Sequence, residues 1–221
     1  MTLQIRGIVF DLDGTLVDTL ESIGAAFNRT LKKMGMPEWE IEKYRYFVGE
    51  GVYACAERCL PKEHRTKRMI NQLVELERKD YSINWKVDTG PYSGIEELVV
   101  NAIKAGFKLA VLSNKDDRFV KQCVDHYFPN LPFDSVIGYS HTVPHKPDPV
   151  GGRIIAQHLD LAAAELVMVG DSSIDIHTAQ ACNMHSVGVL WGFREIEELE
   201  AAGAEIIIEH PNELLSAISQ F

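Results

Sequence analysis

Six short runs, Ile5–Phe10, Lys108–Leu112, Ser135–Gly138, Leu166–Val169, Ser186–Leu190 and Glu205–Ile208, are rich in Val and Ile and do not alternate with polar residues. A strand with one wet face alternates, whereas a run that stays apolar needs cover on both faces. Helical periods supply that cover. They fall at Ile95, Leu98, Val99, Ala102 and Ile103, then over Phe119 to Tyr127, Gly151 to His158, Ile174 to Cys182 and Glu195 to Ala202, with Gly106 and Gly203 where helix C-terminal glycines belong. The pattern predicts an α/β protein built on a parallel sheet with helices on both faces.

One interval breaks the alternation. From Leu16 to Lys86 there is no good strand, and amphipathic helical patterns follow one another at Ser22–Met34, Glu38–Phe47, Val52–Cys59 and Glu63–Ile83. Residues 16–86 are therefore read as an all-helical insertion, a small second domain joined by two hinges, and residues 1–15 with 87–221 as the sheet domain. The 221 residues, 46% apolar and 24% charged, suffice for a buried core. The formal charge of −10, with no basic stripe, argues against nucleic acid or an anionic membrane as partner. No apolar run approaches a membrane span, and the N-terminus lacks the basic start and apolar stretch of a secretion signal, so the expected setting is the cytoplasm. Cys55, Cys59, Cys123 and Cys182 form no C-x-x-C pair, and Cys55 and Cys59, at helical i,i+4 spacing, read as reduced core residues.

Ligands of open parallel sheets bind beyond the carboxyl ends of the strands. The first strand ends in Asp11-Leu12-Asp13-Gly14-Thr15, the second in Ser113-Asn114, and the fourth in Gly170-Asp171, followed by Asp175. Between the third and fourth lies His145-Lys146-Pro147-Asp148-Pro149, whose prolines stiffen the backbone around the lysine. Residues two apart on a strand face the same way, so Asp11 and Asp13 are expected to face one reacting centre. A carboxylate can attack phosphorus, and passing through an aspartyl-phosphate divides a hard hydrolysis into two easier displacements. Its neighbour can protonate the leaving alkoxide and then deprotonate the attacking water. Asp11, Asp13, Asp171 and Asp175 beside a phosphate dianion concentrate more negative charge than Lys146 can offset. A hard divalent ion with oxygen ligands is implied, and Mg²⁺ suits carboxylates, water and a phosphate oxygen. The residual charge favours keeping one carboxyl, Asp13, protonated when substrate arrives. Ser113 and the backbone N–H groups near Asn114 can hold the remaining phosphoryl oxygens.

With these motifs in place, the chain resembles the haloacid dehalogenase (HAD) superfamily, in its phosphoglycolate-phosphatase-like branch with a helical cap. The first motif is matched by DLDGTLVDT, the second by Ser113 and Asn114 in VLSNK, the third by Lys146 in HKPDP and the fourth by GDSSIDI, while FVGEG (residues 47–51) is similar to a V-G-x-G segment of phosphoglycolate phosphatases. The loops HTVPHKPDP and FPNLPFD depart from the family's phrases. The resemblance implies a Rossmann-like, HAD-like core with the insertion as cap. It also implies Asp11 as nucleophile, Asp13 as acid/base, and Mg²⁺ held by Asp11, the Asp13 carbonyl and Asp171, with Asp175 as a further acid of the metal site. The activity implied is Mg²⁺-dependent hydrolysis of a small organic phosphomonoester, 2-phosphoglycolate first, by a monomer or homodimer whose partner is a small phosphorylated metabolite.

Blander readings stand beside these. Asp11 and Asp13 could form a solvated turn, Asp171 could merely cap the helix after Gly170, Asp175 could be a first-turn charge interacting with the helix dipole, and Lys146 could be a surface lysine. His141 and His145 read as solvated loop histidines rather than a transition-metal pair, and Trp191 as packing rather than a stacking platform. Arg45, Glu50 and Lys115 are candidates to touch substrate or are ordinary surface charges. Competing functions are a β-phosphoglucomutase-type phosphomutase, a pyrophosphatase, a receiver-like phospho-switch that holds its phosphoryl group on Asp11, and a silent binding protein.

Overall fold

The computed structural model describes residues 4–221. The first three residues, part of the stretch read above for a secretion signal, lie outside the described residues. The strands are β1 (Gly7–Phe10), β2 (Val17–Asp18), β3 (Gly90–Pro91), β4 (Lys108–Asp116), β5 (Ser135–Tyr139), β6 (Leu166–Gly170), β7 (His185–Val189) and β8 (Ile206–Ile208). The helices are α1 (Leu20–Lys33), α2 (Tyr44–Phe47), α3 (Val52–Cys59), α4 (Lys67–Asn84), α5 (Ile95–Lys104), α6 (Asp117–Tyr127), α7 (Val150–Leu159), α8 (Ser173–Cys182), α9 (Ile196–Ala202) and α10 (Leu214–Ile218). The chain divides into two compact units, residues 1–17 with 91–221, and residues 18–90.

In the first unit six strands pair in the order β5-β4-β1-β6-β7-β8, and every neighbouring pair is parallel. This is the parallel α/β sheet expected from the unalternating apolar runs. Ile8, Val9 and Phe10 of the central β1 are wholly buried, as double-sided cover requires. One core cluster joins Val9, Ala110, Leu112 and Met168 of the sheet to Ile155 and Leu159 of α7. β1 lies between β4 and β6, with Phe10 opposite Val111 on one side and Val169 on the other. The three strands therefore discharge their next residues, Asp11, Leu112-Ser113 and Gly170-Asp171, side by side at one edge.

β4 runs four residues past the expected Leu112, and its tail is irregular. Leu112 pairs with Ile137 and Asp116 with Tyr139, so Ser113, Asn114 and Lys115 face the single residue Gly138. A Cβ at Gly138 would lie 2.5 Å from Asp117 Cα and 2.7 Å from the Lys115 carbonyl, so this bulge needs glycine opposite it.

The second unit is helical, as the amphipathic patterns indicate, with α1 packed on α4 and α3 on α4. The expected helix Glu38–Phe47 is instead a 3₁₀ turn at Ile41–Lys43 followed by the single turn α2. The Asn28 side chain binds Trp39 in both directions, donating to its carbonyl at 2.7 Å and accepting from its N–H at 2.9 Å, while the Trp39 indole donates to the Cys59 carbonyl at 2.8 Å. Those bonds hold the segment before Ile41 out of helical conformation. The helix expected from Glu63 begins at Lys67, where the Thr66 hydroxyl accepts from the Met69 N–H. All four cysteines are free and buried. Among the described residues no helix is long and apolar enough to cross a membrane.

Candidate active site

Asp11 leaves β1 with its N–H donating to the Val169 carbonyl of β6 at 2.9 Å, so its backbone is still tied to the sheet. Its Oδ1 accepts from the Leu12 N–H at 2.6 Å and lies 2.9 Å from Lys146 Nζ. The same ammonium donates to Asp175 Oδ1 at 2.7 Å. The lysine side chain is only 2% exposed, which excludes the surface reading. Its backbone is held too. The Lys146 N–H donates to Asn114 Oδ1 at 2.6 Å, and Asn114 Nδ2 donates to the Lys146 carbonyl at 3.2 Å. Asn114 thus contributes its side chain to fixing the lysine. Ser113 is buried beside it, its hydroxyl accepting from the Lys115 N–H at 3.3 Å.

Asp171 follows β6 and is 2% exposed. Thr15 Oγ1 donates to its Oδ1 at 3.2 Å and the Phe193 N–H to its Oδ2 at 2.8 Å. The Trp191 indole donates to the Thr15 carbonyl at 2.9 Å. Trp191 is thus a brace for the first loop, in line with the packing reading. Gly192 between them is obligatory, since a Cβ there would sit 2.3 Å from both Asp171 Cβ and the Gly14 carbonyl. Gly14 has φ of +84°, and its own Cβ would meet Asp171 Oδ2 at 2.5 Å. Sequence reasoning finds Trp191 only as a packing residue and misses Gly192 and Phe193 as parts of the site. The segment follows a strand at the same carboxyl edge, the one available signal, but carries no ionisable group.

Asp175 occupies the first turn of α8 and is fully buried. Its Oδ2 accepts from the Ser172 N–H at 3.1 Å and from the Ser172 hydroxyl at 2.8 Å, while Oδ1 takes Lys146. One carboxylate therefore closes the helix and anchors the lysine.

Asp11, Asp171 and Asp175 offer carboxylate oxygens that all lie within 4.8 Å of one another. Asp13 stands outside that cluster. Its Oδ1 accepts from Lys115 Nζ at 2.8 Å, in a pair whose side chains are 8% and 12% exposed. Lys115 is therefore a largely covered cation beside the site rather than a surface charge, and with Arg194, which opposes the rise of Asp171, it adds to the positive charge of Lys146. Asp13 also sits in a turn and not on the strand. It bridges Val17, and the Gly14 N–H donates to the Val17 carbonyl at 3.0 Å. Arg45 and Glu50 form ion pairs within the helical unit, with Glu42 and Arg58. His145 stacks flat on Tyr139 with centroids 3.7 Å apart.

The electrostatics favour a cation. Burial pushes the Asp11 carboxyl well above its ordinary range; Lys146 pulls it back, but Asp175 and Asp171 push it up again. Burial also raises Asp171, to about 7, with Asp175 adding to the effect and the Phe193 N–H, Arg194 and Thr15 opposing it. Burial would lower Lys146, yet Asp11 and Asp175 more than offset it and hold the ammonium protonated. Lys146 is shared by Asp11 and Asp175, while Asp171 is met by the Thr15 hydroxyl and the Phe193 N–H without a bonded cation of its own. An all-oxygen cluster with an unmet demand for positive charge fits a hard divalent cation such as Mg²⁺.

The family model described as haloacid dehalogenase-like hydrolase matches residues 8–189. A phosphoglycolate phosphatase of Aquifex aeolicus is 30% identical over 96% of this chain and 95% of its own length. That of Colwellia psychrerythraea is 28% identical over the whole of both chains. A solved haloacid dehalogenase-like family hydrolase from Streptococcus pneumoniae superposes with a TM-score of 0.87 at 27% identity, covering 96% of this chain and 98% of that one.

Proposed function

Because this chain belongs to the haloacid dehalogenase-like hydrolase family, we propose that it hydrolyses a small organic phosphomonoester, with 2-phosphoglycolate the first substrate to test. The observation that carries the reading is the convergence of Asp11, Asp171, Asp175 and Lys146 beyond the carboxyl ends of β1 and β6. Asp11 is assigned as nucleophile, since its carboxylate is oriented by Lys146 and the Leu12 N–H. An Asp11 oxygen bonds to phosphorus as the ester P–O bond breaks, and Asp13 gives its proton to the departing alkoxide. Asp13 then takes a proton from water, whose oxygen attacks the phosphorus of the aspartyl-phosphate and frees inorganic phosphate. Ser113 and the backbone N–H of Asn114 are assigned to the phosphoryl oxygens, with Lys146 balancing charge between nucleophile and phosphate.

Asp11 and Asp171, with the Asp13 carbonyl, would hold Mg²⁺, which when bound supplies neutralising charge for the phosphate. Asp175 is assigned to Lys146, since both of its oxygens already accept hydrogen bonds. The helical insertion is assigned the selection of substrate, in the manner of a cap.

The test is steady release of inorganic phosphate from p-nitrophenyl phosphate with Mg²⁺, followed by a panel of phosphoglycolate, sugar phosphates, nucleotides and pyrophosphate ranked by kcat/KM. Turnover is expected to vanish with chelator and to fall at least ~10³-fold in Asp11→Asn, the order seen when a unit of covalent catalysis is removed. Full activity in Asp11→Asn would defeat the assignment, and a single turnover without continued release would indicate a phospho-switch.

A further inference from the structure

Lys115, whose ammonium engages the acid/base Asp13, has no part in the scheme above. Lys115 sits in the bulge of β4, where Ser113, Asn114 and Lys115 face the single residue Gly138. Its neighbours in the bulge have other tasks, Asn114 holding the Lys146 backbone and the Ser113 hydroxyl accepting the Lys115 N–H. The Lys115 ammonium reaches Asp13 Oδ1 at 2.8 Å across a sequence distance of 102 residues. The side chains of the two residues are 8% and 12% exposed, so this is no solvated surface ion pair.

The Asp13 backbone is tied into the turn through its bridge to Val17, but that leaves the rotation of its carboxyl group to side-chain contacts. Asp13 lies beyond the end of β1 in the turn that Gly14 makes possible, and the rigid cluster of Asp11, Asp171, Asp175 and Lys146 does not include its carboxylate. A carboxyl group that must give up a proton in one step and retrieve one in the next has to present the same oxygen in the same direction both times. An ammonium can only donate, so the oxygen it engages is kept as an acceptor. We infer that Lys115 is a positioning residue for the acid/base: by engaging Oδ1 it fixes the rotation of the Asp13 carboxyl and assigns the transferable proton to Oδ2.

The inference rests on the phosphatase reading and on Asp13 as its acid/base, and a leaving-group comparison separates the two. p-Nitrophenolate departs with little need of a proton, whereas the alkoxide of an alkyl phosphate such as 2-phosphoglycolate or glycerol phosphate departs only when protonated. Comparing kcat/KM confines the measurement to steps up to formation of the phosphoenzyme, and taking the ratio of the two substrates cancels any loss of phosphate affinity caused by removing a positive charge. In Lys115→Met the alkyl-to-aryl ratio of kcat/KM is expected to fall at least tenfold, part of the ~10²–10⁴ that a positioned acid supplies. Lys115→Arg, which restores a donor to Oδ1, is expected to recover most of that ratio. Asp13→Asn should lower the ratio further, and adding Lys115→Met to it should lower the ratio no more, because the lysine then has no acid to orient. Lys115→Leu provides the same donor-free comparison should the methionine variant fail to fold. An equal loss on both substrates, a ratio that still drops in the Asp13→Asn background, or an unchanged ratio in Lys115→Met would each overturn the inference. Absence of turnover of either ester by the unaltered, Mg²⁺-supplied protein would instead overturn the phosphatase reading, and the inference with it.

Discussion

Replacing Asp171 by asparagine should reverse part of the way this protein's stability responds to pH when no divalent cation is present. The Asp171 carboxyl ionises near 3.8 in an unfolded chain and at about 7 in the native one, because it is buried and faces Asp175. Below 3.8 both states hold the proton and the group contributes no difference. Between the two values the native state keeps a proton that the unfolded chain has lost, so stability falls as pH rises; above 7 the slope vanishes. Each tenfold change in proton affinity is worth ~1.4 kcal/mol, so the full window amounts to ~4 kcal/mol, and the part between pH 5 and pH 8 to ~3 kcal/mol. In a chain of this length ~3 kcal/mol corresponds to ~6–12 °C in Tm. The carboxamide of Asp171→Asn does not ionise but keeps an oxygen for Thr15 or the Phe193 N–H. In EDTA, the Tm of the variant relative to the natural protein should therefore rise by that amount between pH 5 and pH 8. Relief of Asp11, whose carboxyl Asp171 also pushes up, acts in the same direction. Adding Mg²⁺ at pH 8 should lift the natural protein and leave the variant nearly unmoved. A difference in Tm that is constant to within ~1 °C across this pH range, or equal stabilisation of both proteins by Mg²⁺, would refute the reasoning.

Two further substitutions probe the same edge of the sheet. Lys146→Met leaves the carboxylates of Asp11 and Asp175 without their shared ammonium, and urea unfolding at pH 8 should show a loss of ~3–5 kcal/mol together with loss of turnover. Gly192→Ala drives a methyl into Asp171 Cβ and the Gly14 carbonyl, so it should cost ~1–3 kcal/mol or more and reduce kcat although no functional side chain is altered; calorimetry and steady-state rates report both.

What could be read from the sequence was what short-range pattern controls. Unalternating runs such as Ile8-Val9-Phe10 indicate two-sided burial, and the residues that follow the runs mark the sheet edge where Asp11, Lys146 and Asp171 come together. What stayed hidden depends on partners distant in sequence. Lys115 looks like any loop lysine until the bulge of β4 turns it toward Asp13. Nothing in the sequence shows that the Asn114 amide closes on the Lys146 backbone, 32 residues away. The run from Glu38 has a helical pattern, but Asn28, ten residues and more upstream, claims the backbone of Trp39 and unwinds its start. The two-residue strands β2 and β3, at the points where the chain leaves and rejoins the sheet unit, are too short to carry a period at all.

Asp175 spends one oxygen on the amide and hydroxyl of Ser172 and the other on Lys146. The opening turn of α8 and the reach of the lysine are therefore fastened by a single side chain. Opening of that turn would cost the ammonium one of its two carboxylate partners in the same instant, so the stability of the helix start and the placement of the lysine are a single quantity. The exchange protection of the first amides of this helix therefore reports on the lysine's anchorage as well as on the helix.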